Sequence, residues 1–216
     1  MQELLTRVRA LFVVPAGPAA PAAARFAPAP AVALLCQPRH ALAGGSALAL
    51  TLARDAEVGK ALVCVWRAAA GEVPLRVPAT RPARRLVASL AAHGLEAEAS
   101  GRLARLALPD DTAAAAAMAA RAAAVAAAPT VVALAGPRSA VLDRLLAAQD
   151  LVVVATGTVG GAALAELARD SVAELGVPAV ACELSAGPRA RAIAAAGLAA
   201  PGVLRSALAP AVEAVR

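Results

Sequence analysis

The stretch AVALLCQPRHALAGGSALALTLARD, residues 31 to 55, decides how the rest of the chain is read. Its apolar run Ala31 to Cys36 predicts a strand, Pro38 with Gly44 and Gly45 predicts a loop, and the Ala/Leu run restarting at Ser46 predicts a helix. Strand, tight loop and helix is the arrangement in which α/β proteins hold phosphate. Glycines let backbone N–H groups wrap the anion, a Lys meets the β and γ phosphates, and a Ser or Thr holds magnesium. Gly44 and Ser46 fit that pattern, whereas Gly45 stands where the lysine belongs.

Downstream, Ala61 to Trp66 (ALVCVW) is a second apolar run without alternation, as expected of a parallel sheet covered on both faces. Residues 67 to 82 form a basic, Pro-containing connection. Arg84 to His93 reads as a helix stopped by Gly94. Leu95 to Ser100 and Arg102 to Leu108 alternate apolar and charged residues about Ser100-Gly101, which predicts an inserted hairpin with one wet face. Asp110 or Asp111 is expected to cap the Ala-rich helix that Pro129 ends. Then come strand Thr130 to Ala135, helix Ser139 to Ala148, strand Leu151 to Ala155, helix Gly161 to Leu175, strand Val177 to Cys182 and helix Pro188 to Ala196. A last helical stretch, Val203 to Val215, is expected to break at Pro210. This rhythm predicts an α/β fold with a doubly wound, mainly parallel sheet.

Before residue 31 the pattern differs. Leu4, Leu5, Val8, Leu11 and Phe12 recur at helical spacing, so residues 1 to 14 read as an amphipathic helix. Residues 15 to 30 are a Pro/Ala linker, and 31 to 216 form the α/β domain. The helix either docks on a protein partner or a membrane surface, or packs back on its own domain. The five apolar residues Ala10 to Val14 are too short a run for a secretory leader.

Composition narrows the function classes. The chain is 60% hydrophobic, much of it Ala, and has no long run of large apolar residues that would span a bilayer. Its formal charge of +6 rests on Arg and one Lys, Lys60. Only Phe12, Phe26 and Trp66 are aromatic, too few for the stacking that nucleic-acid binding adds to basic charge. Cys36, Cys64 and Cys182 are scattered, without CxxC spacing, and read as buried thiols of a cytoplasmic protein. His40 and His93, far apart and without Asp or Cys at ligand spacing, predict neither catalysis nor metal binding. Ser46, Ser139, Ser171 and Ser185 lack a motif of nucleophilic catalysis. Glu96 and Glu98 read as the wet face of the hairpin, and Asp143-Arg144 and Glu166-Arg169-Asp170 as helix-surface pairs.

The order of these pieces resembles the MinD/ParA group of P-loop ATPases, including relatives in Tad-type pilus and secretion systems. The phrases that carry the likeness are residues 32 to 52, KALVCVW, TVVALAGPRSAVLDRLLAAQDLVVVAT and the helix ending in ELGVP. In that family the first strand leads into a deviant Walker A loop with two lysines, and a later strand ends in a magnesium-positioning Asp. Here Arg39 or His40 falls near the first lysine, Gly45 on the second, and Ala133, Leu134 and Ala135 on the strand end. The resemblance therefore implies a degenerate nucleotide site, with Arg39, Gly44, Gly45 and Ser46 holding any retained ATP, ADP or other anion and no residue assigned to catalysis or metal. A second anion loop is expected at Gly157, Gly160 and Gly161, before another helix. The function implied is a non-catalytic scaffold working through a protein partner or as a homodimer, cytoplasmic and in reach of the inner membrane through residues 2 to 14. The alternative is an atypical ATPase or nucleotide-binding regulator of a pilus, secretion or positioning system.

Overall fold

The computed structural model describes residues 29–56, 58–67, 77–124, 128–135, 139–156 and 168–215. The expected N-terminal helix, nearly all of the Pro/Ala linker and the loop with Gly157, Gly160 and Gly161 lie outside them. The strands are β1 (Ala31–Leu35), β2 (Ala61–Trp66), β3 (Ala97–Ser100), β4 (Leu103–Ala107), β5 (Thr130–Leu134), β6 (Leu151–Thr156) and β7 (Ala179–Glu183). The helices are α1 (Pro38–Asp55), α2 (Arg81–Ala91), α3 (Ala113–Ala124), α4 (Ala140–Ala147), α5 (Pro188–Ala195) and α6 (Gly202–Val215). Residues 168–173 are also helical.

One seven-stranded sheet has the order β3-β4-β2-β5-β1-β6-β7. All pairings are parallel except β3 with β4, the expected hairpin. Alternate residues of each buried strand feed two separate cores. Ala33, Leu62, Cys64, Val132 and Leu134 pack with α2, α3 and α4 on one face. Val32, Leu34, Val63, Val131 and Val153 pack with α1, α5 and α6 on the other. The sheet is thus covered on both sides, which is why its strands read as unbroken apolar runs. Trp66 is the largest fully buried side chain.

Two hydrogen-bonded junctions fix the outer elements. The β3–β4 turn at Gly101 meets the end of α5 at Gly197, where Arg102 N donates to Gly197 O at 2.9 Å and Ser100 Oγ to Ala196 O at 2.9 Å. Both glycines have positive φ, and a Cβ on Gly101 would strike Gly197 O while one on Gly197 would strike Ser100 O. Only glycine permits that approach. At the amino edge, Asp150 accepts from the buried Ala31 N–H at 2.9 Å and from Arg121 Nη2 at 2.9 Å.

The structure corrects three local expectations. The loop drawn around Pro38, Gly44 and Gly45 does not exist, because α1 begins at Pro38 and runs unbroken to Asp55. Gln37 is extended, as the residue before proline must be, and Pro38 takes the first helical position, where its missing N–H is no loss. Pro210 does not break α6. Asp110, a candidate cap for α3, gives its carboxylate to Arg67.

Candidate functional site

Ligands of open α/β sheets bind outside the carboxyl ends of the strands, where neighbouring connections leave in opposite directions. In this sheet the chain leaves β1 towards β2 and leaves β6 towards β7, so the crevice position is the end of β1. Only Cys36 and Gln37 lie between β1 and α1. Cys36 N donates to Leu134 O at 3.0 Å, which extends the β1–β5 ladder up to the helix start.

Gly44 and Gly45 lie well inside α1, where backbone N–H groups bond to carbonyls one turn back and are not presented to a ligand. Their place is explained by packing. A Cβ on Gly45 would fall 2.8 Å from Ala133 Cβ on β5, and one on Gly44 would fall 2.9 Å from Leu34 Cδ2 and Leu184 Cδ1. Two glycines inside a helix cost about 2 kcal/mol relative to alanine, which the close approach to a fully packed sheet offsets. Ser46 is fully buried in the same helix, its hydroxyl without a hydrogen-bond partner. The expected cradle of Gly44, Gly45 and Ser46 is therefore a helix–sheet contact. The end of β5 carries only Ala133, Leu134 and Ala135, all fully buried. Lys60 immediately precedes β2, at the amino edge.

The first turn of α1 keeps one feature suited to an anion. Arg39 is exposed there, no acidic residue occupies the turn, and Gln37 makes no side-chain cap. His40, the next residue, is buried, and its Nε2 has no partner. Burial, with the charges of Arg39 and Arg191, holds its pKa below the ordinary histidine value. Its neutral form is thereby favoured over the cation.

The polar groups missed by sequence reasoning stand on the flank, beyond the ends of β2 and β4. Arg67 follows Trp66 and adopts a left-handed backbone, φ 56°. Its Nε donates to Asp110 Oδ1 at 2.9 Å and its Nη2 to Oδ2 at 3.3 Å, while the guanidinium lies 4.5 Å from the centre of the Trp66 ring. The hydrogen bond from Arg67 holds the Asp110 carboxyl below its usual range, helped by the nearby indole N–H of Trp66, which does not reach hydrogen-bond geometry. A bulky residue at the end of β2, a cation after it and an acid after Pro109 were the available signals. No spacing rule joins them.

No nucleophile or acid–base pair emerges from these groups. Burial pushes the Cys64 thiol up to about 12 and that of Cys182 to about 11, leaving both inert at neutral pH. Among the described residues, no group of three His, Cys, Asp or Glu side chains is placed to hold a metal, and no helix is long and apolar enough to cross a membrane.

No protein-family model matches this sequence, and no curated protein does. Among solved structures, a ParA family ATPase from Chlorobium tepidum TLS is similar over 87% of this chain and 99% of its own, with 10% sequence identity and a TM-score of 0.48. A likeness of that size bears on neither ligand nor chemistry.

Proposed function

We propose that this chain is a non-catalytic scaffold of MinD/ParA-like architecture that acts by binding a protein partner or a second copy of itself. The observation that carries the reading is the start of α1 at Pro38, with Gly44 and Gly45 closed against Leu34, Leu184 and Ala133. Phosphoryl transfer depends on charges that clamp the γ phosphate and its metal. Here the helix occupies the space of the cradle, and alanine and leucine occupy the strand end. What remains is a rigid doubly wound sheet with its helix surfaces available for contact.

Magnesium-dependent ATP and GTP turnover by the full chain tests this directly. It should stay at background, and calorimetry should show no ATP or ADP binding with an affinity better than about 1 mM. Self-association measured by sedimentation should be the same with and without nucleotide. Turnover that disappears on Arg39→Ala or Ser46→Ala would overturn the scaffold reading.

A further inference from the structure

A second, independent region carries unassigned chemistry. An open cavity of about 520 Å³ lies on the α1 and α5 side of the sheet at the carboxyl ends of β2 and β4, bordered by Leu42, Val65, Glu96, Glu98, Arg105 and Ala107. Its volume is in the range that takes small ligands, about 300–1,000 Å³. Strand register places the groups. Glu98 stands opposite Arg105 in the hairpin, Val65 pairs with Ala107, and residues two apart share a face, which adds Glu96 to the side of Glu98.

We propose that this cavity binds a small zwitterion, a ligand of dipeptide size with a carboxylate at one end, an ammonium group at the other and an apolar body between. Arg105 is half-buried and held in place by Nη1, which donates to Ala195 O at 3.1 Å. Its Nε is closed off from solvent and has no partner, so the guanidinium is under-satisfied inside the protein, and a ligand carboxylate would be met by Nη2 at the cavity. Burial pulls its pKa below the usual arginine range, and the Glu98 charge only partly opposes this. A carboxylate at Arg105 would oppose it further.

Charge selects the ligand class. An anion alone would meet Glu96 and Glu98, and a cation alone would be opposed by Arg105. A zwitterion satisfies all three, with Leu42, Val65 and Ala107 supplying an apolar wall. The site does not involve the end of β1, so it stands or falls separately from the scaffold reading.

The test uses the full chain and L-leucyl-L-leucine, followed by calorimetry and by amide shifts of residues 96 to 98 and 105 to 107. The dipeptide should bind saturably with a Kd of about 1 mM or tighter. Its N-acetyl form, which lacks the cation, and its C-terminal amide, which lacks the anion, should each bind at least ~10-fold more weakly. Glu98→Gln, an exposed change, should weaken the dipeptide and leave the N-acetyl form unaffected. Arg105→Gln should weaken both. Absence of saturable dipeptide binding would overturn the proposal. So would equal binding of the three forms, which would make the cavity merely apolar, or an unchanged dipeptide affinity in Glu98→Gln.

Discussion

The carboxyl edge of this sheet has two regions of opposite character. At its centre, where β1 and β5 end, the chain has placed Cys36, Ala133 and Ala135 under a helix whose glycines touch the strands. On its flank it has placed Arg67 and Asp110 beside Trp66, past the ends of β2 and β4, and Glu98 and Arg105, on β3 and β4, at an open cavity. The position that topology favours for a ligand is therefore the better sealed of the two. A sheet's connections fix where a crevice can open, but side-chain volume decides whether it does.

The sharpest way to break the contrast is Gly45→Lys. If the centre were an open phosphate cradle, the lysine would restore a phosphate-seeking charge and nucleotide affinity would rise. With Ala133 Cβ 2.8 Å from the position of a new Cβ, the change must instead force apart α1 and β5 and bring an ammonium towards an apolar core. Overpacking combined with an unpaired buried charge should lower stability by roughly 4 kcal/mol or more. Urea denaturation measures the loss, and a stable variant that binds ATP would show the centre to be open.

A milder pair of substitutions asks how tight the seal is at each glycine. Gly45→Ala meets Ala133 Cβ, which is attached directly to the backbone and cannot turn away, so a loss of about 1–3 kcal/mol is expected. Gly44→Ala meets the terminal methyl groups of Leu34 and Leu184, which can rotate. The gain in helix propensity, about 1 kcal/mol, should nearly cancel that adjustment. Equal losses at the two sites would mean that the helix does not lean on β5 as described.

How far the sequence revealed this contrast depends on what each signal measures. Unbroken apolar runs identified the parallel strands, and the alternation around Ser100-Gly101 identified the hairpin, because burial on two faces or one is written directly into polarity. Gly44-Gly45 misleads because glycine signals close backbone approach as well as turning, and the two meanings share one letter. Pro38, which reads as a loop residue beside those glycines, fits the first position of a helix equally well, and the run Ala41-Leu42-Ala43 after it supports helix. Those local cues prevail, since the packed helix satisfies its backbone hydrogen bonds whereas an empty loop would not. The flank was illegible for another reason: Arg67 and Asp110 are 43 residues apart and meet only through the register of β2 and β4.

At the centre, acid should act through His40. Its folded pKa lies below the ordinary value of about 6.5, so between those two values the unfolded chain binds more protons than the folded one. The contribution of neutral His40 is therefore fully present above pH 6.5 and declines as pH falls from there towards the folded pKa. His40→Leu, which removes the unpaired Nε2, should flatten the stability profile in that window. A profile identical to that of the unsubstituted protein would show that the imidazole is already protonated or solvated in the folded state.

The smallest effect is expected on the flank, from Arg67→Ala. Both partners of the Arg67–Asp110 pair are well exposed, with side-chain exposures of 43% and 64%, and water screens the attraction. Stability should thus barely change, but the carboxyl titration should. With Arg67 present, Asp110 has a depressed folded pKa, so whatever the pair contributes is present above the ordinary carboxylate value and is lost as pH falls through the lower folded value. Removing the guanidinium should return the Asp110 midpoint, followed by carboxyl NMR, upward to the ordinary range, and Arg67→Lys should leave it between the two because an ammonium cannot form both bonds at once. Arg67→Gly adds a backbone comparison. It loses the same pair as Arg67→Ala but relieves the left-handed φ of 56°, so it should be the more stable of the two. If glycine and alanine were equally stable, the left-handed turn after Trp66 would carry no strain, and the hold of Asp110 on Arg67 would be a surface contact without consequence for the backbone.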